Sequence, residues 1–580
     1  MHRLTRPLAR FAQHWRAHAG LVQALFAIAA FALGLWGWSI KQPATDLAGH
    51  ANNLFRTLQL ITLQFPTQFD GSLPWQLHIA RLLLPFAAVA ASLHIVIGAA
   101  TRPARLALMP TAKGHIIVCG AEQLTESALR KLAEEGGCQV VTLGPPMDPG
   151  RREALEGLGL TVVEGDPREP ATLPAIGAAN AAALFITGED DVANLNIAML
   201  AISATRARKP GLPPLSLAVL VDREELASEL DSALDGLSRA AGLRYHRLCP
   251  DREGLRLELA RHAPVFRKQN LDARTHLLVL GLAGRWQQSL MQLVTAAQDH
   301  PTERPLLTLV LAPEEMAALA EWRHARPELE LVAEFAVLPS GHALLPPAET
   351  LADWRAAHAA PQLAIVLRPD AEALGTALAL RRPGCALGID AATPILVRQS
   401  REDHLLAALG GAGIEQERLG GLIAFGGLLR AESIARVLDR TGEATAIAMH
   451  AAYQEATKTL PPGSPESIAA WDALSENLRD ANRAAAEHVP ILLAAVGLRA
   501  GDAANDETIE RMARIEHRRW IADRLDRGWR YAPMRDNARL LHPSMLDYDA
   551  LPEMEREKDR NQVRTILGLL VPSRLLKSCH

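Results

Sequence analysis

Cysteine is scarce in this sequence of 580 residues, and its five cysteines stand far apart without a single C-x-x-C pair. A disulfide framework or a zinc site needs paired or clustered cysteines, so this spacing argues against both and suits a reducing compartment. We therefore expect no metal site and mostly buried thiols. The cysteines are Cys119, Cys138, Cys249, Cys385 and Cys579.

An excess of positive charge is also missing, because the formal net charge at pH 7 is −4. Without a basic field, a recognition helix or zinc-finger spacing, nucleic acid is not expected as a partner. The sequence further lacks a G-x-S-x-G nucleophile elbow, a P-loop and an H-E-x-x-H motif. We accordingly name no catalytic residue and expect a protein other than an enzyme, with an NAD-linked enzyme as the least favoured alternative.

What the chain does contain is a long uncharged run near its N-terminus. Leu21 to Ile40 covers about 20 residues, the length that an α-helix needs to cross the roughly 30 Å of bilayer hydrocarbon. The run ends in Trp36 and Trp38, residues typical of the membrane interface. A cleaved signal peptide is the alternative, but its apolar region would span only about 7–15 residues. The pattern predicts a first transmembrane helix at 21–40.

A second uncharged span, residues 82–100, predicts that the N-terminal segment 1–105 forms a transmembrane hairpin. Positive residues flank both outer ends, so the positive-inside rule predicts a multi-pass protein of the cell inner membrane with both termini in the cytoplasm. Within the second span, His94 either lines a water-filled path or bonds to a neighbouring helix near the interface. The flanking residues are Arg3, Arg6, Arg10, Arg16, Arg102, Arg105 and Lys113.

Between the two spans, residues 53–75 carry apolar residues at the spacing of a short amphipathic helix before Pro66. The segment resembles the pore helix of two-helix potassium channels, where a T-V-G-Y-G filter follows and its glycines let carbonyl oxygens face the ion. Both glycines are replaced here, which argues against potassium selectivity. Thr62 and Gln64, together with His94, are the candidate pore residues. The nearest match to the filter is Thr62, Leu63, Gln64, Phe65 and Pro66.

A Rossmann-like pattern begins after the basic linker. Residues 114–120 (GHIIVCG) predict a buried strand that ends in a glycine turn, and residues 124–135 predict the helix that follows. The alternation of strands and helices continues and predicts a parallel, doubly wound sheet over residues 113–265. The further predicted strands are 139–143, 161–163, 183–187 and 217–221.

Within this domain, Gly165-Asp166, the helix turn 173–181 and Asp190-Asp191 with Asn194 carry a specific resemblance. Residues 113–245 resemble the potassium-transport nucleotide-binding domains of the RCK and KTN type. The resemblance implies a domain that dimerises or forms rings beneath a membrane pore and binds nucleotides or ions. The candidate cofactor residues that follow from it are Gly120, Glu122, Asp166, Asp191 and Asn194.

The dinucleotide fingerprint of this domain is eroded. A G-x-G-x-x-G motif would continue with glycines where this chain has Glu122 and Thr125, and Glu122 would bring a carboxylate close to a phosphate. The second strand ends in Leu143-Gly144 instead of the acidic residue that holds a ribose. We therefore expect weak or no NAD binding here, and a Rossmann domain kept for assembly is the preferred interpretation.

Residues 276–284 (HLLVLGLAG) repeat the strand and glycine-turn pattern and open a second, divergent Rossmann-like domain predicted over 270–430. Gly281, Ala283 and Arg285 match the phosphate-binding template poorly. A helical linker region is expected over 431–505, with a long helix from 468 to about 498. The predicted strands are 306–311, 331–338, 363–367, 394–397 and 422–425.

The C-terminal module, residues 506–580, carries the most specific motif set of the chain. Its segment 515–567 closely resembles the repeat domain of ryanodine receptors, which also occurs in prokaryotic proteins. The resemblance implies a small helical recognition module for a nucleotide-type ligand. It rests on Trp520, Gly528, Trp529, Tyr531, Asp536, His542-Pro543, Tyr548, Leu551-Pro552, Lys558-Asp559 and Arg564.

Aromatic and basic residues of this module suggest how it would bind such a ligand. Trp529 and Tyr531 are expected to stack on a purine while guanidinium groups contact phosphate, because planar guanidinium groups bind phosphate bidentately. The alternative is structural, with Trp520 and Trp529 in the core and Asp536 and Lys558 in caps or ion pairs. The candidate ligand residues are Trp529, Arg530, Tyr531, Arg535, Asp536, His542, Lys558 and Arg564.

These patterns predict a membrane α-helical hairpin, α/β Rossmann-like doubly wound domains and a small, mainly α C-terminal domain. The expected function is a ligand-sensing membrane effector, a channel-like homo-oligomer (dimer or tetramer) whose cytoplasmic domains recognise a nucleotide-type ligand and change the state of the membrane domain. Its expected partners are the lipid bilayer and that ligand, and no cofactor is named. A role in prokaryotic defence signalling fits this design. A membrane-tethered binding scaffold without a pore is the main alternative.

Overall fold

A computed structural model of the chain describes most of residues 25–570. The chain divides into two compact units, of which the first takes Met1–Ala112, Asp148–Val163 and Pro174–Gly177, and the second takes Lys113–Met147, Glu164–Leu173 and Ala178–His580. The described residues are 25–64, 73–206, 208, 213–221, 224–263, 274–340, 345–346, 348–382, 387, 389, 393–399, 421–427, 434, 437–438, 443–456 and 469–570.

Among its described residues, the first unit contains three helices that cross closely at two glycines. They are α1 (residues 25–41), α2 (Leu47–Ile61) and α3 (Trp75–Leu108). A Cβ built on Gly34 would lie 2.7 Å from Thr57 Cγ2, and one built on Gly37 would lie 2.7 Å from Leu77 Cγ. The glycines therefore let α1 pack directly on α2 and α3. The buried core of this helix group is Ala30, Trp38, Leu60, Leu77, Ala80 and Leu84.

Two of the predicted pore residues follow directly on α2. This helix begins earlier than the predicted amphipathic segment, because Asp46 caps it by accepting a hydrogen bond from the Gly49 N–H at 2.9 Å. Thr62 terminates α2, and Gln64 follows the left-handed Leu63, whose φ is 60°. The rest of the filter-like match, Phe65 and Pro66, lies outside the described residues. His94 lies within α3.

The predicted transmembrane hairpin is not supported by the described helices. Among the residues that the structure describes, none of the helices combines the length and the apolar character needed to cross a membrane. The predicted second span, 82–100, forms the middle of α3, which continues past it at both ends. Residues 21–24 of the predicted first span lie outside the described residues.

Parallel strands form the sheet of the first α/β domain. Within the second unit its hydrogen-bonded order is β2-β1-β4-β5-β6, so the direction of winding reverses between β1 and β4. All residues of β1, β2, β4 and β5 are buried, as expected for parallel strands covered on both faces. The strands are β1 (Ile116–Cys119), β2 (Val140–Gly144), β3 (Thr161–Glu164), β4 (Ala183–Ile186), β5 (Leu215–Leu220) and β6 (Leu243–Leu248).

The helices of this domain follow its strands, and several begin at side-chain caps. Thr125 accepts a hydrogen bond from Ala128 N–H at 3.2 Å, and Asp190 accepts one from Ala193 N–H at 2.7 Å. The helices are α4 (Glu126–Gly136), α5 (Pro149–Gly157), α6 (Thr172–Ala175), α7 (Asp191–Thr205), α8 (Glu224–Ala240) and α9 (Pro250–Arg261).

A second six-stranded parallel sheet has the order β12-β11-β10-β7-β8-β9, and its winding reverses between β10 and β7. The predicted Rossmann-like parallel sheets are thus confirmed. The strands are β7 (His276–Leu280), β8 (Leu306–Leu311), β9 (Glu334–Pro339), β10 (Leu363–Val366), β11 (Ile395–Arg398) and β12 (Leu422–Phe425). The helices between them are α10 (Trp286–Ala296), α11 (Pro313–His324), α12 (Ala348–Ala357) and α13 (Asp370–Leu380).

The C-terminal part is mainly helical and shares a hydrophobic core with the second sheet. Leu293, Ile521, Leu525 and Trp529 belong to one buried cluster with residues of that sheet. The long helix predicted from 468 begins only at Glu476, because Ser475 caps it. The elements are α14 (Ala444–Ala456), α15 (Glu476–Ala495), α16 (Asp506–Asp526), β13 (Arg530–Tyr531), β14 (Leu541–His542), a 3₁₀ turn (Tyr548–Ala550) and α17 (Glu553–Leu569).

Candidate ligand site

The glycine turn after β1 lies at the winding reversal of the first sheet, where doubly wound sheets bind ligands. Gly120 has a φ of 88°, and a Cβ built on it would lie 2.7 Å from the carbonyl carbon of Thr187. The Thr187 hydroxyl donates to the carbonyl oxygens of Cys119 and Gly120, at 3.2 and 3.1 Å. Gly120 is therefore required for the close approach of the segment after β4, independently of any ligand.

Glu122 places a carboxylate at the end of β2. In the dinucleotide fingerprint, the acidic residue that holds a ribose belongs to β2 itself. A Cβ built on Gly144 would lie 3.2 Å from Glu122 Oε2. The carboxylate thus comes from the glycine turn instead of from the strand. Its negative charge is unfavourable for a pyrophosphate beside Gly120.

Asp166 and Asn194 have local partners. Asp166 accepts two hydrogen bonds from the Arg168 side chain, with Nε at 2.9 Å and Nη2 at 2.8 Å. This hydrogen bonding lowers the pKa of the exposed Asp166 carboxyl. The Asn194 amide donates to the Gly188 and Leu220 carbonyl oxygens at 2.8 and 3.0 Å. Asn194 therefore joins the ends of β4 and β5, which is a structural role.

Asp191 faces the second α/β domain. It is buried at the first position of α7, and its charge acts on Arg285, the residue that precedes α10. The pKa of Arg285 is lowered to about 10, mainly by burial; Asp191 opposes this shift, and the neighbouring Arg398 adds to it. Asp191 therefore has a charged partner in the second α/β domain.

In the C-terminal domain, rings from three segments meet at His542. The Trp520 ring on α16 lies edge-on to His542 at a centroid distance of 4.9 Å, and the Trp529 ring lies edge-on at 5.9 Å. The guanidinium of Arg524 lies 5.5 Å from the ring centroids of both Trp520 and Trp529, the range of a cation–π contact. We call Trp520, Arg524, Trp529, Arg535, His542 and Lys558 the His542 cluster.

The charge around His542 is predominantly positive. Burial lowers the pKa of His542 to about 4, and the positive charges of Arg535, Arg524 and Lys558 act in the same direction while Glu555 opposes them. The imidazole is therefore neutral at pH 7. Its Nδ1 accepts a hydrogen bond from the Ser544 N–H at 3.1 Å, which assigns the remaining proton to Nε2. The cluster therefore presents a neutral N–H donor among cations.

Two cations of the cluster already have partners. Lys558 Nζ lies 2.6 Å from Glu555 Oε1, and Arg535 Nε donates to Asn537 Oδ1 at 2.8 Å. Both contacts are local, within three residues along the chain, and both side chains reach solvent. Such exposed pairs contribute only about 0–1 kcal/mol, so a ligand can replace them at little cost.

Trp529 and Tyr531 do not form the single stacking face that the sequence predicts. Trp529 is only 9% exposed and belongs to the core shared with the second sheet, whereas Tyr531 is 43% exposed. Residues two apart on an extended strand would share a face, but Trp529 precedes β13 at the turn from α16. The exposed Tyr531 ring is therefore not joined by an exposed Trp529 ring.

Three other predicted ligand residues have structural partners away from His542. The Asp536 carboxylate accepts hydrogen bonds from the Ala538 and Arg539 N–H groups at 3.0 and 3.1 Å and so holds a turn. Arg564 Nη1 lies 2.7 Å from Glu557 Oε1. Arg530 Nη1 donates to the Trp529 carbonyl at 2.9 Å, and its Nε lies 4.0 Å from Glu328 of the second α/β domain.

Arg524 is not among the ligand residues predicted from the sequence, and Trp520 is predicted only as a core residue. Trp520 and Arg524 are four residues apart on α16, so their side chains lie on the same helix face. This spacing was the available signal for the pair. The contact of Arg524 with Trp529 depends on the turn at Gly528, whose φ is 82°.

A buried charge junction lies at the C-terminal end of α16 and joins it to α9 and α15. Arg252 Nη2 on α9 is 2.9 Å from Asp526 Oδ2, and Arg527 Nη2 is 3.0 Å from Asp480 Oδ2. Burial alone would raise the pKa of Asp480, but the guanidinium groups of Arg256 and Arg527 hold it well below its usual range. Asp480 therefore remains ionised among these guanidinium groups.

The cavity among these charges is small. It measures about 30 Å³, which is enough for a water molecule and far too little for a nucleotide. The junction is therefore a structural connection between domains in this conformation. Its lining residues are Asp231, Arg247, Cys249, Arg252, Glu253, Glu476, Asn477, Asp480, Arg483 and Arg527.

Two family models match this chain. The TrkA-N domain matches residues 116–211 and the RyR domain matches residues 490–574. The predicted resemblances to a potassium-transport nucleotide-binding domain and to a ryanodine receptor repeat are therefore confirmed for these two regions. The two matches cover the glycine turn of the first sheet and the complete His542 cluster.

Solved structures of a channel named GsuK show a distant similarity. The GsuK channel is 14% identical with a TM-score of 0.33, and 74% of this chain and 99% of that chain are covered. GsuK bound to ADP is 13% identical with a TM-score of 0.32 over 74% and 98% of the two chains. The GsuK channel bound to NAD is 13% identical with a TM-score of 0.34 over 74% and 84%. At this level, the similarity does not identify shared site residues.

Proposed function

We propose that this chain is a nucleotide-sensing regulatory protein that binds an anionic, nucleotide-type ligand at the His542 cluster. The observation that supports this most directly is the concentration of donors there. The half-buried His542 imidazole offers a neutral N–H. The positive charges of Arg524, Arg535 and Lys558 act on this ring. A phosphate group would accept from these donors.

The aromatic part of the cluster supplies a surface for a base. Trp520 is only partly buried, stacks on His517 at 5.7 Å with an interplanar angle of 20°, and lies edge-on to His542. Amphipathic rings of this kind bind planar ligands at sites that are partly open to water. A base beside Trp520 would place its phosphates toward Arg535 and Lys558.

Helix α16 provides a route from this cluster to the α/β domains. It carries Trp520 and Arg524 at the cluster and ends at Asp526 in the charge junction with α9. A ligand that binds one position of α16 more tightly than another would shift the junction by the difference in its binding free energies. We propose regulation by this route, and a binding role instead of catalysis.

The test is ligand binding by the full-length protein. ATP, ADP, AMP and NAD are titrated separately, and we expect at least one to raise the melting temperature, since a ligand at about 100 times its Kd adds roughly 2.7 kcal/mol. Arg535→Ala should weaken that ligand at least tenfold. Arg539→Ala is the matched control, because Arg539 lies in the same turn with 80% of its side chain exposed. No shift with any of the four, or equal effects of both variants, would count against the proposal.

We further propose that the first unit attaches the protein to a lipid bilayer. Among the described residues, fifteen large apolar side chains between Leu25 and Val89 are exposed, compared with seven beyond Val89. Exposed apolar surface of this extent is typical of membrane or protein contacts. In this proposal the protein is a multi-pass inner-membrane effector, oligomeric and channel-like, with both termini in the cytoplasm.

Reporter fusions in the intact cell test this topology. Fusions after His580 and within residues 53–75 should report opposite compartments, and equal signals would contradict the hairpin. Substitution of Phe86 and Val89 by serine should then weaken membrane retention, because both side chains are more than 60% exposed on α3. Serine at Met534 and Met554, which are exposed on the C-terminal domain, is the control and should leave retention unchanged.

A membrane-tethered scaffold without a pore is the second candidate function. The eroded turn of the first sheet supports it, because Gly120 is needed for packing and Glu122 disfavours a phosphate. In that case the first α/β domain would serve assembly only. Ion flux through liposomes that contain the purified chain, with and without a stabilising nucleotide, separates the two functions. Ligand-dependent flux supports the effector, and nucleotide binding without flux supports the scaffold.

A further inference from the structure

Arginine side chains converge at the carboxyl edge of the second sheet, beside its winding reversal. Arg368 follows β10, Arg398 ends β11 and Arg285 precedes α10. A Cβ built on Gly281 would lie 2.8 Å from Arg368 Cγ, and one built on Gly284 would lie 2.5 Å from Arg398 Nε. The glycines of this turn therefore make room for arginine side chains.

The backbone of the same turn is already hydrogen-bonded. The Leu282 N–H donates to Glu315 Oε1 at 2.8 Å, and the Ala283 N–H donates to the Leu367 carbonyl at 2.6 Å. These amides are not available to cradle a pyrophosphate in the manner of a dinucleotide fingerprint. Any anion at this edge must be bound by side chains.

Two of the arginines interact with carboxylates of the first α/β domain. Arg398 Nε donates to Asp251 Oδ2 at 2.9 Å, and its Nη1 lies 3.7 Å from Asp370. Arg285 interacts electrostatically with Asp191. Asp251 opens α9 and Asp191 opens α7, so this edge of the second sheet contacts the first domain through charge.

Arg368 differs from its neighbours because its charge is poorly compensated. Only 9% of the residue is exposed, and its Nε and Nη2 atoms are buried without a hydrogen-bond partner among the described residues. The Glu372 carboxylate lies 4.0 Å from Arg368 Nη1, and the Glu372 side chain is 53% exposed to solvent. A buried guanidinium with two unpaired nitrogen atoms carries a desolvation cost that a bound anion would remove.

The two unpaired atoms also define the shape of the anion. Nε and one Nη atom form the edge of a guanidinium that donates two parallel hydrogen bonds to an oxyanion. We propose that this edge of the second sheet is a binding site for a phosphate-class oxyanion, held bidentately by Arg368 with Arg285 and Arg398 adding positive charge. The site is separate from the His542 cluster and does not depend on its ligand.

Occupation of this site would also affect the contact between the α/β domains. An anion that interacts with Arg398 competes with Asp251 for the same guanidinium, because Arg398 Nε already donates to that carboxylate. Binding would therefore weaken the ion pair that links β11 to α9. The oxyanion, whether free phosphate or the phosphate of a nucleotide, thus becomes a regulator of that contact.

The test uses the full-length protein with sodium phosphate, sodium pyrophosphate or ATP, against sodium chloride at equal ionic strength. We expect phosphate or pyrophosphate to raise the melting temperature. Arg368→Met should need at least ten times more anion for the same rise. Without anion, Arg368→Met should melt at the same temperature as the natural chain or above it, because it removes a poorly compensated buried charge. Arg382→Met, an exposed arginine of the same domain, is the control and should retain the response.

The results separate the anion sources and the two proposed sites. If Arg368→Met loses the rise in melting temperature with phosphate and pyrophosphate but keeps it with ATP, the site binds free phosphate. If the variant loses the rise with all three anions, nucleotide phosphates also bind here. A response that Arg368→Met retains in full would overturn the proposal, as would the absence of any response to the three anions. Arg535→Ala should leave the response to inorganic phosphate unchanged, so failure at one site is distinguishable from failure at the other.

Discussion

Arg252 and Asp526 form a buried ion pair, with 2.9 Å between Nη2 and Oδ2, that connects the last helix of the first α/β domain to the end of α16. Their side chains are 6% and 5% exposed, so neither charge is solvated. Removing one partner of such a pair is expected to be costly, because the other remains buried without its closest opposite charge. Without Asp526, Arg252 would still have Asp480 as a more distant partner, 3.7 Å from its Nη1. The pair therefore fixes the position of the helix that carries Trp520 and Arg524.

Asp526→Asn should lower the free energy of unfolding by about 3–5 kcal/mol. The double substitution Arg252→Met with Asp526→Leu removes both charges, so it should recover much of that loss. Denaturant unfolding measures both effects. Asp166→Asn removes an ion pair whose carboxylate and guanidinium are exposed, and this control should change stability by no more than about 1 kcal/mol. If the single and double variants at the junction were equally unstable, unpaired charge would not be the cause.

Gly120→Ala should destabilise the first sheet. Alanine would have to adopt a φ of 88° and would place its Cβ 2.7 Å from the carbonyl carbon of Thr187, so both strain and collision oppose it. Gly114→Ala is the matched control, because Gly114 also has a positive φ, 68°, but no atom lies within 4 Å of the added Cβ. We expect about 1 kcal/mol for Gly114→Ala and distinctly more for Gly120→Ala in thermal unfolding. Equal losses would show that the contact with Thr187 is unimportant.

Trp520→Ala should destabilise the C-terminal domain by about 3 kcal/mol, because this ring packs on His517 and His542 and against the core shared with the second sheet. Arg535→Ala should change the unliganded stability by less than about 0.5 kcal/mol, since Arg535 is an exposed arginine. Denaturant unfolding of the two variants measures the difference. Comparable losses would indicate that Arg535 is a structural residue and not a ligand contact.

Much of the α/β architecture could be predicted because its strands are buried on both faces and therefore consist of continuous apolar residues. The bounds of β8 and β12 agree with the predicted 306–311 and 422–425. β6 (Leu243–Leu248) was not predicted, because Arg244, His246 and Arg247 interrupt its apolar pattern. Charged groups can occupy this strand because they are paired, as Arg247 is with Asp231. The spacing of apolar residues along the sequence does not reveal such a pairing.

The candidate sites were predictable only where residues are close in sequence. The motif predicts Trp529, His542 and Lys558, and Arg535 is predicted as a basic residue beside it; the structure brings these four together. Arg368 and Arg398 were not identified, because their convergence depends on the order of β10 and β11 in the sheet. The unpaired nitrogen atoms of Arg368 likewise depend on tertiary burial, which a single sequence does not specify.

The pH dependence of stability should show the influence of the charges around His542. The pKa of this imidazole is lowered from its usual 6.5 to about 4 in the folded protein, by burial first and then by Arg535, Arg524 and Lys558 against the opposing Glu555. In the unfolded chain it titrates near 6.5. Between these values the unfolded state binds more protons than the folded state, so its contribution is present above about pH 6.5 and is lost as the pH falls through about 4.

His542→Gln should therefore remove part of the acid sensitivity of the full-length protein. Other buried histidines with lowered pKa values, His246, His276 and His488, cause the same kind of loss, so the informative quantity is the difference between the natural chain and the variant. We expect the natural chain to lose on the order of 2 kcal/mol more than His542→Gln between pH 7 and pH 4, measured by denaturant unfolding at each pH. A saturating nucleotide at the cluster should reduce that difference, because its phosphate offsets the positive charges and raises the pKa of the imidazole toward 6.5. Parallel stability curves for the two proteins would show that His542 titrates alike in the folded and unfolded states, and the positive environment inferred for the cluster would then be wrong.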